Sequence, residues 1–338
     1  MTEALTGLKV EDHSESIAGQ FCGRLLADFG ADVALVEPEG GSAIRRMGPM
    51  RADGSSYLFF HLNLGKRSGS HGGTADILLL PAGFDRASLP EDPRRITCTI
   101  SGFGEDGPRA NWKGGELIYQ ALSGVMYRNG NPKGAPLYGC GHRASYVAGI
   151  AAYCSVLAAL HARRNTGRGQ HCSVDIVECA SSMTYALATQ FLYNGVPEWR
   201  SEPQNLPSGV MQCSDGWVAI FIYAYRWRGA CEALGLGHIA DHPRYATAEA
   251  RMENWPEVLA AFQEVAIRLT CDDFIGRLQA HDQVAGRAVN PSELISSPHL
   301  AARDYWQTVQ TPSGPRYVLG PHFRMERTPR VLKSGAPL

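Results

Sequence analysis

The chain has 338 residues, enough for one large domain, a smaller one and a sizeable buried core. Lys and Arg number 32 against 33 Asp and Glu, for a formal charge of -1, and 44% of residues are apolar while 19% are charged. That balance excludes a disordered chain and argues against nucleic acid as a partner. No run approaches the roughly 18 to 20 continuous apolar positions of a membrane helix, and the opening M-T-E-A-L-T-G-L-K-V lacks the pattern of a secretory leader. A cytoplasmic protein without membrane association is expected. The nine cysteines form no C-x-x-C pair and no zinc spacing, so they read as reduced, mostly buried thiols with no metal site.

In chain order, Leu8–Asp12 reads as a short strand, Ile17–Phe29 as a helix with apolar residues at helical spacing, and Asp32–Pro38 as a second strand closed by proline. These make one β-α-β unit of a parallel sheet. Residues 39–73 are rich in glycine breakers and carry the basic pair Lys66-Arg67. Ile77–Leu80 and Ile96–Ser101 are further strands, and the S-G-F-G-E-D-G-P run at 101–108 follows a strand's carboxyl end, where open α/β sheets hold ligands. Val147–Ala162 is the clearest helix, stopped by Arg163-Arg164-Asn165-Thr166-Gly167. Val174–Val177 is a strand or helix start, and Cys179–Tyr193 reads as a helix. Residues 195–209 turn to Gly, Pro, Ser, Asn and Glu, as an interdomain linker does. Beyond it come a strand at Trp217–Tyr223, helices near Arg226–Leu234, Trp255–Leu269 and Asp272–His281, a capped segment at Ser292–Leu294, and a hairpin from Val309–Thr311 and Tyr317–Leu319 around P-S-G-P.

Generic motifs are few. Gly139-Cys140-Gly141-His142-Arg143-Ala144 fits G-x-G-x-x-A, but no strand precedes it and no acid follows about twenty residues on, so a glycine-rich helix entry is the better reading. His142 and Ser145 share that helix start without a G-x-S-x-G elbow, which makes Ser145 an N-cap rather than a nucleophile. Cys140 beside His142 and Arg143 is a weaker candidate for an activated thiolate. Lys66 and Arg67, two cations in a glycine loop, are suited either to a diphosphate or to solvent. Spacing alone thus ends at a doubly wound α/β protein, with a phosphorylated ligand and a solvated basic patch both open as readings of Lys66-Arg67.

Eight ordered segments carry more. They are G-L-K-V-E-D at 7–12, A-G-Q-F-C-G-R-L-L-A-D-F-G-A-D-V-A-L-V-E-P at 18–38, N-L-G-K-R-S at 63–68, I-S-G-F-G-E-D-G-P at 100–108, Y-Q-A-L-S-G-V-M at 119–126, A-R-R-N-T-G-R-G-Q at 162–170, S-D-G-W-V-A-I at 214–220 and S-P-H-L-A-A-R at 297–303. Together they resemble the family III CoA-transferases, the group that includes carnitine and formyl-CoA transferases and the α-methylacyl-CoA racemases. The resemblance implies an α/β fold with a Rossmann-like large domain from 1–195 and 309–338, a smaller α+β domain at 205–308, and an interlocked dimer. It also implies a coenzyme A thioester substrate and an aspartate that attacks it, passing through a mixed anhydride to an enzyme-bound thioester. Ser145 stands where that aspartate is expected. Gly115 stands where the racemases carry a histidine, and the E-N-F-x-P-G segment of the CoA pocket appears as Leu78–Gly83. Lys66 and Arg67 remain as CoA contacts, and Glu116 is the one carboxylate left beside the altered site.

These departures resemble the aspartate-lacking subunit of benzylsuccinate-type CoA-transferases. The expected function is therefore a subunit of a heteromeric CoA-transferase that moves CoA from a succinyl-CoA-type donor to an organic acid, with aryl-dicarboxylic acids among the candidates. Its expected partner is a catalytic paralogue, otherwise a second copy, with the CoA thioester bound mainly by the partner. The alternatives are a stand-alone acyl-CoA lyase or isomerase using Glu116, Tyr119, His142 or Tyr146, and a non-catalytic acyl-CoA-binding protein.

Overall fold

A computed structural model describes residues 3–131, 133–196, 208–311 and 314–337. Its contacts divide the chain into a first unit of Met1–Gly130, Gly134–Glu198 and Asp304–Leu338 and a second of Asn131–Lys133 and Trp199–Arg303. Most of the expected linker at 195–209, namely 197–207, lies outside the described residues, as do Pro312 and Ser313 of the expected hairpin turn.

The first unit is built on six parallel strands: β1 (Lys9–Asp12), β2 (Asp32–Leu35), β3 (Arg67–Ser68), β4 (Ile77–Pro81), β5 (Ile96–Ser101) and β6 (His171–Asp175). Their order is β3-β2-β1-β4-β5-β6, the order of a doubly wound nucleotide-binding sheet. The order in which strands are added reverses between β1 and β4, which places a crevice at the carboxyl ends of those strands. The central strand I-L-L-L-P is buried almost throughout, with Ile77 and Leu79 in the main core beside α1 and α5 residues and Leu78 and Leu80 packed with Phe84 and Leu89. Around them run α1 (Ile17–Asp28), α2 (Tyr57–Asn63), α3 (Glu116–Leu122), α4 (Val125–Arg128), α5 (Arg143–Thr166), α6 (Ile176–Ser181) and α7 (Tyr185–Asn194).

Helix α1 starts where the Ser16 hydroxyl accepts the Gly19 amide. Helix α5 extends four residues beyond the expected span at each end. It buries a stripe of small residues, Ala144, Ala148, Ala152 and Val156, at i,i+4 spacing. Gly149 lets it lie close on α1, since a Cβ there would sit 2.7 Å from the Ala18 carbonyl oxygen. By length and composition α5 is long and apolar enough to cross a membrane, a test that a core helix also passes, and 44% of its apolar window is buried. Alanine, serine and tyrosine interrupt the strongly apolar residues, so no continuous run stands out in the sequence.

The single helix expected at Cys179–Tyr193 is divided by a 3-10 turn at Ser182–Thr184. There the hydroxyls of Ser181, Ser182 and Thr184 bond back to the carbonyls of Val177, Cys179 and Ser181 and compete with the regular ladder. The two-residue β3, with both side chains exposed, is too short to show any alternation.

Under α1 lies a second buried cluster. Arg24 and Arg330 both contact Asp28, at 2.8 and 3.0 Å, and the Arg24 guanidinium also reaches the His61 carbonyl. The His61 ring packs beside Phe21 and Tyr146. Burial, reinforced by the nearby Arg24, lowers its imidazole from 6.5 to about 4. Because the folded value lies below the unfolded one, the unfolded chain takes up the proton first. The contribution of neutral His61 is whole above pH 6.5 and is lost as pH falls toward 4, by up to about 3 kcal/mol. Urea denaturation at pH 7 and pH 5 should show this loss, and His61→Phe should flatten that pH dependence.

The second unit pairs β7 (Ser208–Cys213), β8 (Gly216–Phe221) and β9 (Val284–Arg287) antiparallel in the order β7-β8-β9. Helices α8 (Trp227–Ala233), α9 (Gly237–Ala240), α10 (Ala248–Glu253), α11 (Trp255–Ala266) and α12 (Cys271–Ala280) complete most of it. Trp255, Phe262 and Phe274 form its core with Val218 and Leu278. Asn290 and Glu293 make a reciprocal capping box at Pro291–Ile295. The hairpin of β10 (Trp306–Thr311) and β11 (Gly314–Leu319) returns the chain to the first unit.

Candidate active site

The start of α5 is capped from outside. Glu116, the first residue of α3, follows Gly114 and Gly115, and its carboxylate reaches across to the first turn of α5. Oε1 accepts the Ala144 amide at 2.7 Å and the Gln120 side-chain amide at 2.8 Å. Oε2 accepts the Ser145 amide at 3.1 Å and the Ser145 hydroxyl at 2.7 Å. A carboxylate in this place satisfies amides that the helix itself leaves open and complements its dipole.

The expectation that Ser145 caps the helix is corrected. The N-cap is His142, which makes no side-chain cap bond, and Ser145 lies three residues further in, with its hydroxyl given to Glu116. Ser145 is 4% exposed and at the wall of a cavity of about 180 Å³. Glu116, Tyr119, His142 and Gly115 line the same cavity. His142 Nδ1 is buried there without a hydrogen-bond partner among the described residues. Tyr119 donates its hydroxyl to the Gly114 carbonyl at 3.3 Å, and burial raises its phenol. Gly114 is fixed by packing, since a Cβ would meet Phe103 at 2.6 Å, whereas Gly115 faces open space.

Tyr146 and Cys140 do not line this cavity. Tyr146 packs edge-on against Phe21 and its phenol is raised by burial. Cys140 is exposed, with Arg143 Nη2 3.8 Å from its sulfur. Five of the nine cysteines are buried, and all nine are free thiols. Among the described residues no cluster of three or more His, Cys, Asp or Glu is placed to hold a metal ion.

The basic pair divides. Lys66 has a fully buried side chain, and its ammonium spends its donors on Asp12 Oδ2 at 2.7 Å, the Gln20 carbonyl at 2.7 Å and Asn63 Oδ1 at 2.8 Å. Its three N–H groups are committed to these acceptors, and Lys66 also lines the cavity beside Arg67. Spacing could not reveal this, because Asp12 is 54 residues away. Arg67 is exposed, paired with Asp32 at 3.1 Å, and lines a cavity of about 780 Å³ together with Arg45, Arg51 and Phe59. Arg45 and Arg51 were not singled out in the sequence. The cue present was the run of basic residues between the Gly40-Gly41 and Gly54 breaks.

The profile of CoA-transferase family III matches residues 5–70 and 82–338. Over 333 aligned positions the chain is 31% identical to a succinate–glutarate CoA-transferase of Agrobacterium fabrum, covering 88% of this chain and 83% of that one. It is 27% identical to the beta subunit of a succinyl-CoA–L-malate CoA-transferase of Chloroflexus aurantiacus, over 99% of this chain and 91% of the relative. Among solved structures it is similar to a CaiB/BaiF family protein from Brucella suis, with 27% identity, a TM-score of 0.89, and coverage of 100% of this chain and 97% of that one.

Proposed function

The chain belongs to CoA-transferase family III, and from that premise we propose that it is the supporting subunit of a two-component CoA-transferase. The reaction would move CoA from a succinyl-CoA-type donor to an organic acid, with aryl-dicarboxylic acids among the candidates. One observation carries this reading: the residue at the expected nucleophile position is Ser145, and the neighbouring Glu116 accepts two hydrogen bonds at each oxygen. Four donors occupy the lone-pair sites of this carboxylate, which leaves it none to direct at an acyl carbonyl. The attacking carboxylate therefore comes from a paralogous chain that keeps the aspartate.

Leu117, Ile118, Leu122, Tyr127, Leu192 and Tyr193, on α3, α4 and α7, are exposed large apolar side chains and support assembly with such a paralogue, otherwise with a second copy, in an interlocked dimer. Arg67, with Arg45 and Arg51, is assigned to the phosphates of a CoA thioester that the partner holds in the main. A cytoplasmic setting is supported by the nine free thiols.

The 2.7 Å bond from Ser145 Oγ to Glu116 Oε2 favours one rival reading, a single-chain acyl-CoA enzyme. In it Oγ attacks the thioester carbonyl, the Oγ–C bond forms as the C–S bond breaks, and the proton passes through Glu116 to the departing thiolate.

The test is to incubate the chain, alone and with its nearest paralogue, with succinyl-CoA and candidate acids, and to follow new acyl-CoA by mass spectrometry. Product only with the paralogue is the expected result. Product from the single chain, or an acyl adduct on the Ser145 peptide, would overturn it in favour of the rival.

A further inference from the structure

The second unit holds a cavity of about 230 Å³ remote in sequence from every residue of the candidate active site. Ile222, Trp227, Met252 and Trp255 give it an apolar body, Tyr223 stands half exposed beside them, and Arg251 supplies a charge. The Arg251 guanidinium lies 5.3 Å from the centre of the Trp227 ring. It donates to the carbonyls of Tyr245 at 3.1 Å, Ala246 at 3.4 Å and Ala224 at 3.5 Å. None of these acceptors carries a charge, and among the described residues no carboxylate is paired with Arg251, in contrast to Arg228, Arg244 and Arg287 of the same unit. Burial lowers its pKa, while Cys231 and Glu249 act in the opposite sense without pairing with it.

A second polar group is also unfilled. Trp227 is 6% exposed, and its indole N–H is buried with no acceptor among the described residues. Its neighbour Trp255 shows the ordinary outcome, donating to the Ser208 carbonyl at 2.9 Å. A buried donor without an acceptor is costly, and a cation over an aromatic face remains able to bind an anion through its free N–H groups. Size then limits the occupant, because an apolar cavity of about 150 Å³ holds a benzene ring while drug-sized ligands need about 300 Å³ or more.

We propose that this cavity binds a small monocarboxylic acid with a planar apolar body, its ring between the tryptophans and Met252 and its carboxylate on Arg251 and the Trp227 N–H. The site shares no residue with the acyl-CoA reading and stands or falls separately from it.

Isothermal titration with benzoate tests this on the full chain. Saturable binding is expected, with a dissociation constant on the order of 1 mM for so small a ligand. Toluene, which has the ring and no charge, should bind at least about tenfold more weakly. Arg251→Gln should weaken benzoate by a similar factor, and Met252→Trp, which fills the cavity, should abolish binding while the chain keeps its wild-type circular dichroism. If Arg251→Gln fails to fold, Met252→Trp decides. Absence of saturable binding, equal affinity for toluene, or binding that survives Met252→Trp would each overturn the proposal.

Discussion

Lys66→Met is expected to destabilise the first unit by about 3 to 5 kcal/mol, the range seen when one partner of a buried ion pair is removed. Both side chains of the Lys66–Asp12 pair are wholly buried, so Asp12 cannot turn to water when its cation is lost. Its Oδ1 would keep the amide and hydroxyl of Ser14, but Oδ2 would be bare, and the Gln20 carbonyl and Asn63 Oδ1 would each lose a donor. Rearrangement cannot absorb this, because α1 passes so close that a Cβ at Gly23 would lie 2.4 Å from Asp12 Oδ2. Combining Lys66→Met with Asp12→Leu removes both charges and should restore a large part of the loss, since apolar replacement of a whole buried pair is often neutral. Urea midpoints of the two single variants and the double variant supply the measurement. A cost under about 1 kcal/mol, the range of exposed pairs, would return Lys66 to the role of a ligand contact.

The second large effect is expected at Glu116. Glu116→Ala strands the amides of Ala144 and Ser145 and the Ser145 hydroxyl at the head of α5, at a cost of about 2 to 4 kcal/mol if each capping bond contributes about 1 kcal/mol. Ser145→Ala removes one donor and keeps the two amide contacts, so its cost should be nearer about 1 kcal/mol. The two variants separate the readings of function. In the two-subunit reading, Ser145→Ala leaves product formation by the mixed complex within about twofold, because no bond is made to Oγ. In the rival reading the same change removes the nucleophile and costs at least about 100-fold in turnover. Steady-state rates of the mixed complex with wild-type and Ser145→Ala chains decide between them.

Much of the first unit was legible because its determinants are local. Alternation, helical spacing and glycine stops marked β1, α1, β2, β4, β5 and the middle of α5, each close to its place in the structure. Strands β7 and β9 leave no such mark, since Ser208–Cys213 adjoins a polar stretch and Val284–Arg287 has four residues with a glycine among them. At the site, the sequence pointed to Ser145 and Glu116 separately. Their bond depends on how α3 meets α5 across 29 residues, and one sequence alone carries no signal for such a pairing. Lys66 shows the reverse case: a cation in a glycine loop reads as a surface group, and only the depth of the loop beneath α1 turns it inward.

Strand β3 also bears on solubility. A parallel sheet ends in a row of unpaired amides and carbonyls that a neighbouring molecule can extend, a route to aggregation. Here the strand at one margin offers only Arg67 and Ser68, and Arg67 carries a charge held against Asp32. An incoming strand would find two residues of template and a guanidinium to desolvate. That margin of the sheet is thereby kept from propagating, and lengthening it with β-branched residues in place of Gly69–Gly73 would be a direct way to make this chain aggregate.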